Sequence, residues 1–185
     1  ISENLAIFGF TPRQLTVALN AVKAPEPFAS KSLEGFLYPA HYSFNKGISA
    51  EEVIGSMVEK FSSATSDVSW QYRKFTPYEL LIIASLVQTE GTPDVFGNVA
   101  RVIYNRLEKG IALQFDSTVH YALNRRGEIR VSVEDTKVKS PYNTFLRQGL
   151  PPGPIGSPTR AAIDAALNPP LGDWLYFVTV KPRDT

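Results

Sequence analysis

Residues 80–87 read Leu-Leu-Ile-Ile-Ala-Ser-Leu-Val, an apolar run without a polar stripe. Thr76, Pro77 and Glu79 stand before it as a helix start: a hydroxyl cap, a proline in the first turn, and a glutamate placed to close a capping box. The pattern predicts a helix buried on nearly all sides, with Glu90 at its end and Gly91 as its stop. Elsewhere the apolar positions fall on one face. Ser49 and Glu52 bracket the start of a helix that turns Val53, Ile54, Met57, Val58 and Phe61 inward. Thr92-Pro93 opens another, with Val95, Val99, Val102, Ile103 and Leu107 at core spacing and Gly110 as its end. Two short helices are expected in residues 1–23, the second started by Thr11-Pro12 and Gln14. Asp116 reads as the cap of a helix of one or two turns, and Ser157-Pro158 as the start of a last one over residues 159–167.

Alternation marks other stretches. Phe36, Tyr38, Tyr42 and Phe44 alternate around Pro39, a stripe that suits a core face better than a ligand site. Residues 111–115, 128–133 and 175–180 also read as strands. The expected fold is therefore α+β: helix-rich, with a small, mostly antiparallel sheet built from these four segments. Residues 24–30, with Pro25 and Pro27, read as a linker, and residues 149–158, with four prolines and three glycines, as a rigid loop.

Composition narrows the function more than the fold. The 185 residues suit about one domain, and 43% hydrophobic with 20% charged residues is ordinary for a globular chain. Nineteen basic against 18 acidic residues leave +1, so no basic field for nucleic acid exists. Cysteine is absent, which removes thiol nucleophiles and thiolate metal sites, and two histidines, His41 and His120, argue against a His-rich one. No cofactor or metal is expected. The chain starts at Ile1 and its one methionine is Met57, so it reads as a piece of a longer product. Its longest apolar run falls well short of the ~20 residues a membrane span needs.

What chemistry remains is that of carboxylates. Glu90, carried to the edge of a core by an apolar helix, is the candidate acid. Asp116 is the second carboxylate, and a helix cap is its plainer role. Gln114, Asn143, Tyr142 and Tyr38 add amides and phenols suited to a hydroxyl-rich ligand, which together point toward carbohydrate.

The blocks LEGFLYPAHY (33–42), ASLVQTEG (84–91), VIYNRL (102–107), LQFDSTVHYAL (113–123), SPYNTF (140–145), GLPPGPIGSP (149–158) and ALNP with YFV (166–178) resemble the endolytic murein transglycosylases of the YceG-like family. The resemblance implies cleavage of the MurNAc–GlcNAc bond in nascent peptidoglycan strands, leaving 1,6-anhydro-MurNAc ends. It places the catalytic glutamate on Glu90, and the family's substrate blocks on Leu113, Gln114, Asp116 and Thr118 and on Tyr142, Asn143 and Thr144. It implies a parent protein with one N-terminal membrane anchor, working on the outer face of the bacterial cytoplasmic membrane, with peptidoglycan synthases as possible partners. Residues 1–30 would be the remnant of a LysM-like module with its linker, and residues 31–185 a catalytic domain shortened at its C-terminal end. Two departures stand out: Gln88 occupies a position where many members carry glutamate, and a further strand with a His and a Phe is expected after the last block. A two-carboxylate hydrolase using Glu90 and Asp116, and a glycan-binding module without catalysis, remain as alternatives.

Overall fold

The three capping boxes of the sequence all form, each with both of its arms. Thr11, Ser49 and Thr76 accept from the backbone N–H of Gln14, Glu52 and Glu79, whose side chains reach back to the cap. The computed structural model describes residues 9–28, 30, 32–125 and 131–178. Helices α1 (Pro12–Ala21), α2 (Ala50–Ala64) and α3 (Pro77–Glu90) follow from those caps, then α4 (Phe96–Glu108), α5 (Asp116–Ala122) and α6 (Arg160–Leu167). A 3₁₀ turn, Asp135–Lys137, lies between α5 and α6. The first of the two helices expected before residue 23 falls outside the described residues.

Helix α3 is the centre of the molecule. Every residue from Leu80 to Val87 is buried, as the run without a polar stripe demands. Helices α4 and α6 pack on it and on each other, while α1 packs on α2. Phe28, Phe36, Phe61 and Trp70 meet edge-on or stacked beside this core, with neighbouring centroids 4.7–6.1 Å apart. Gly91 is extended, with φ −129°, and not left-handed. A side chain there would press on Val99 and Phe96, so its small size seats α4 against α3.

The expected sheet is not formed. Among the described residues no strand occurs, only an isolated bridge between Tyr72 and Phe75, so the fold is helical with long ordered connections. Each segment has a local reason. In 36–44 the chain turns at Gly35 (φ +93°), where Pro154 and Leu81 also come too close for a β-carbon, and Pro39 lacks the donor a ladder needs. In 111–115 Gln114 takes a left-handed φ of +52°, which no strand contains. Of 128–133, residues 128–130 lie outside the described residues. Ser132 uses its N–H and hydroxyl on Asp135 Oδ2 (3.0 and 2.7 Å), a helix-start arrangement.

The last segment, described to residue 178, forms no strand; helix α4 takes the carbonyl of its first residue, Leu175, and those of residues just before it. Arg101 Nε donates to Pro170 O (2.5 Å), Asn105 Nδ2 to Gly172 O and Trp174 O (3.1 and 2.8 Å), and Arg106 Nε to Leu175 O (2.6 Å). Arg106 also donates to Leu113 O (2.6 Å). Three buried polar side chains thus satisfy the carbonyls of the chain between Pro170 and Leu175 and hold it against α4. Phe177 turns inward against Phe115, centroids 5.9 Å apart.

Candidate active site

Glu90 ends α3 half-buried, on the wall of a groove of about 1930 Å³. Helix α5 faces it. Ser117 donates its hydroxyl to Glu90 Oε1 in a short hydrogen bond. Burial pushes the Glu90 carboxyl above its ordinary value, the Ser117 hydrogen bond opposes that rise, and the nearby Asp116 charge adds to it. Asp116 is exposed on the same groove, as the first residue of α5. The N-cap position falls on Phe115, which makes no side-chain cap bond, so Asp116 is not the cap its sequence context suggested.

The other wall beside Glu90 is the proline-rich loop. Two side chains of α3 hold it down: Ile155 N–H donates to Ser85 Oγ (3.2 Å), and the Thr159 N–H and hydroxyl donate to Gln88 Oε1 (2.9 and 2.7 Å). Thr159, and not Ser157, caps α6. Gly156 and Ser157 are thereby presented to the groove near Thr89 and Glu90. Ser157 Oγ and His120 Nδ1 both line the groove and have no hydrogen-bond partner among the described residues.

The remaining sequence candidates divide. Tyr38 lines the groove, with Tyr42 Oη donating to its carbonyl at 2.7 Å. Gln114, Thr118, Tyr142, Asn143 and Thr144 are not among the groove's lining residues. Asn143 is buried and bonded at both ends of its amide: Nδ2 donates to Thr136 O and Val138 O (2.8 Å each), and Oδ1 accepts from Phe145 N–H (2.9 Å). Thr118 and Thr144 are buried and share a hydrogen bond of 2.8 Å. Thr144 also accepts from Gln114 N–H on its carbonyl and from Phe115 N–H on its hydroxyl, 3.0 Å each. These contacts fix the loop that delivers α5 to Glu90. Tyr142 stacks at a tilt on Tyr121, centroids 4.7 Å apart, and burial raises both phenols.

Several groove residues were not singled out from the sequence. Ser117, His120, Tyr121 and Asn124 recur at helical spacing along α5 and its exit, and all four line the groove. That spacing was the available signal, inside a block already noted for Asp116 and Thr118. Arg125, at the same edge, pairs with Asp135 at 2.9 Å. Helix α1 also contributes, through Gln14, Leu15 and Leu19 among others.

Chemically such an arrangement can serve acid–base work: one carboxyl raised by burial, a hydroxyl bonded to it, and an open groove with mixed polar and apolar walls. The chain belongs to the YceG-like family, whose sequence model matches residues 6–185. A Bacillus subtilis protein named endolytic murein transglycosylase is 39% identical over 150 residues, covering 79% of this chain and 41% of that protein. A Streptococcus pneumoniae protein of the same name is 35% identical over 167 residues, covering 86% of this chain and 30% of its own length. The crystal structure of a yceG-like protein from Listeria monocytogenes superposes with a TM-score of 0.79 at 34% identity, covering 93% of this chain and 59% of that one. The chain thus spans under half the length of these two curated relatives. Among the described residues, no helix is long and apolar enough to cross a membrane, and no cluster of His, Asp and Glu could hold a metal ion.

Proposed function

We propose that this chain is the glycan-cleaving part of an endolytic murein transglycosylase, acting on peptidoglycan strands with Glu90 as both acid and base. The observation that carries the reading is the environment of Glu90: a carboxyl raised by burial, on the wall of an open groove, in reach of one hydroxyl donor. The names of the relatives support the substrate class. In its protonated form, which burial favours, Glu90 donates to the glycosidic oxygen between MurNAc and GlcNAc as that bond breaks. Now ionised and supported by Ser117, it accepts the proton of the MurNAc C6 hydroxyl, whose oxygen closes on C1. The nucleophile is part of the substrate, so a well-placed group with an effective molarity on the order of 10⁵ M or more replaces an activated water. A parent protein anchored at the outer face of the cytoplasmic membrane, working beside peptidoglycan synthases, completes this reading. So does the division into residues 1–30 as a LysM-like remnant and 31–185 as the catalytic unit.

Asp116 gives a second reading its foothold. It lines the same groove and is close enough to raise the Glu90 carboxyl, as the partner in a two-carboxylate hydrolase would be. Digestion of uncross-linked glycan in ¹⁸O-labelled water separates the two. Transglycosylation gives muramic ends lighter by one water and free of label. Labelled reducing ends as the main product would overturn it in favour of hydrolysis. Glu90→Gln, a near-isostere, is expected to lose turnover by about a hundredfold or more, the usual worth of a general acid.

A further inference from the structure

The groove that Glu90 lines is large, about 1930 Å³, and one stretch of its wall has a distinct character. Residues 38–48 run along it without regular structure, contributing Tyr38, His41, Tyr42, Phe44, Asn45 and Lys46. Tyr42 is anchored: its ring packs against the core and its hydroxyl donates to Tyr38 O. Phe44 lies on it with centroids 5.8 Å apart and planes within 7° of parallel. Yet Phe44 is 37% exposed and takes no part in the core. A phenylalanine held flat by an anchored tyrosine, and open to the groove, is a preset aromatic surface.

We infer that the Tyr42–Phe44 pair is a remote subsite of the groove, where a sugar ring away from the cleavage point stacks. The inference rests on the glycan reading of the Glu90 site and extends it to the strand beyond. A pyranose presents a face of C–H bonds, weakly positive, which packs on the negative face of an aromatic ring. Asn45 and Lys46 line the same stretch and supply an amide and an ammonium, suited to the acetamido carbonyl of either sugar and the lactyl carboxylate of muramic acid. The groove's volume fits the idea: about 1930 Å³ exceeds what one small ligand fills. A subsite apart from Glu90 makes the protein sensitive to strand length, since a short oligosaccharide at the cleavage point leaves it empty.

The test uses Glu90→Gln, which can bind without cleaving, and compares it with Glu90→Gln/Phe44→Ala and Glu90→Gln/Phe44→Trp. Each is titrated with a muropeptide-free tetrasaccharide and with long uncross-linked strands. Phe44→Ala is expected to weaken long-strand binding by about three- to tenfold, the worth of one aromatic contact, and to leave the tetrasaccharide unchanged. Phe44→Trp should restore the long-strand affinity. Long strands held equally well by Phe44→Ala would overturn the subsite while leaving the Glu90 reading intact. Failure of Glu90→Gln itself to bind glycan of either length would overturn both. Phe44 is exposed, so the variants should melt with their parent, and the tetrasaccharide affinity is a second check of folding.

Discussion

Asn143 offers the sharpest test of how the site is built. Its sequence context made it a ligand-binding amide, whereas the fold surrounds it with three hydrogen bonds of its own. Asn143→Ala removes all three. Each net bond is worth ~0.5–1.5 kcal/mol, and the stranded Thr136 and Val138 carbonyls, only half-buried, can recover some water, so the loss should be about 2–4 kcal/mol. In a chain of this size each kcal/mol moves Tm by ~2–4 °C, which gives a drop of about 5–15 °C by calorimetry. Asn143→Asp sharpens the point. It has the same shape, but sets a carboxylate against two carbonyls where an N–H₂ stood, so it should destabilise at least as much as alanine. An unchanged Tm with weakened glycan binding in either variant would refute the reasoning and return Asn143 to the ligand.

The remaining predictions concern Glu90 and its partner. A carboxyl raised in the folded state favours folding most at acid pH. That advantage is lost as pH climbs from the ordinary carboxylate range through the raised value. Glu90→Gln should therefore be more stable than the parent at neutral pH, with the gap closing on acidification; denaturant titrations at several pH values check this, and a parallel pair of curves would contradict it. Ser117→Ala removes the bond that favours ionised Glu90, so the pH–rate profile should move toward higher pH, with turnover falling about tenfold, the worth of a hydrogen bond to a charged group. An unmoved profile would show that Ser117 does not support the carboxylate.

Local signals were legible and long-range ones were not. Thr11, Ser49 and Thr76 announced their helices because a capping box is complete within four residues. Glu90 was legible because an uninterrupted apolar run can only end at the edge of a core. The sheet failed because alternation predicts extended backbone, not who satisfies it: at the start of the last segment Leu175 O goes to Arg106, 69 residues away, and not to a strand. Gln114 shows the other limit, since nothing in its side chain announces a left-handed backbone. Thr118, Asn143 and Thr144 read as ligand contacts while their side chains bond the scaffold, because sequence does not tell whether an amide or hydroxyl faces a groove or its own fold.

Gln88 sits two residues before Glu90 but belongs to a different piece of the machine. It meets Thr159 through one oxygen, which accepts twice. A glutamate there would offer the same oxygen to the same two donors, so amide and carboxylate are interchangeable at this position as far as the latch is concerned. In this chain position 88 thus serves the hold on the proline-rich loop, just before the groove-facing end of the helix. Its neighbour across the latch, Thr159, is the residue whose change should be felt.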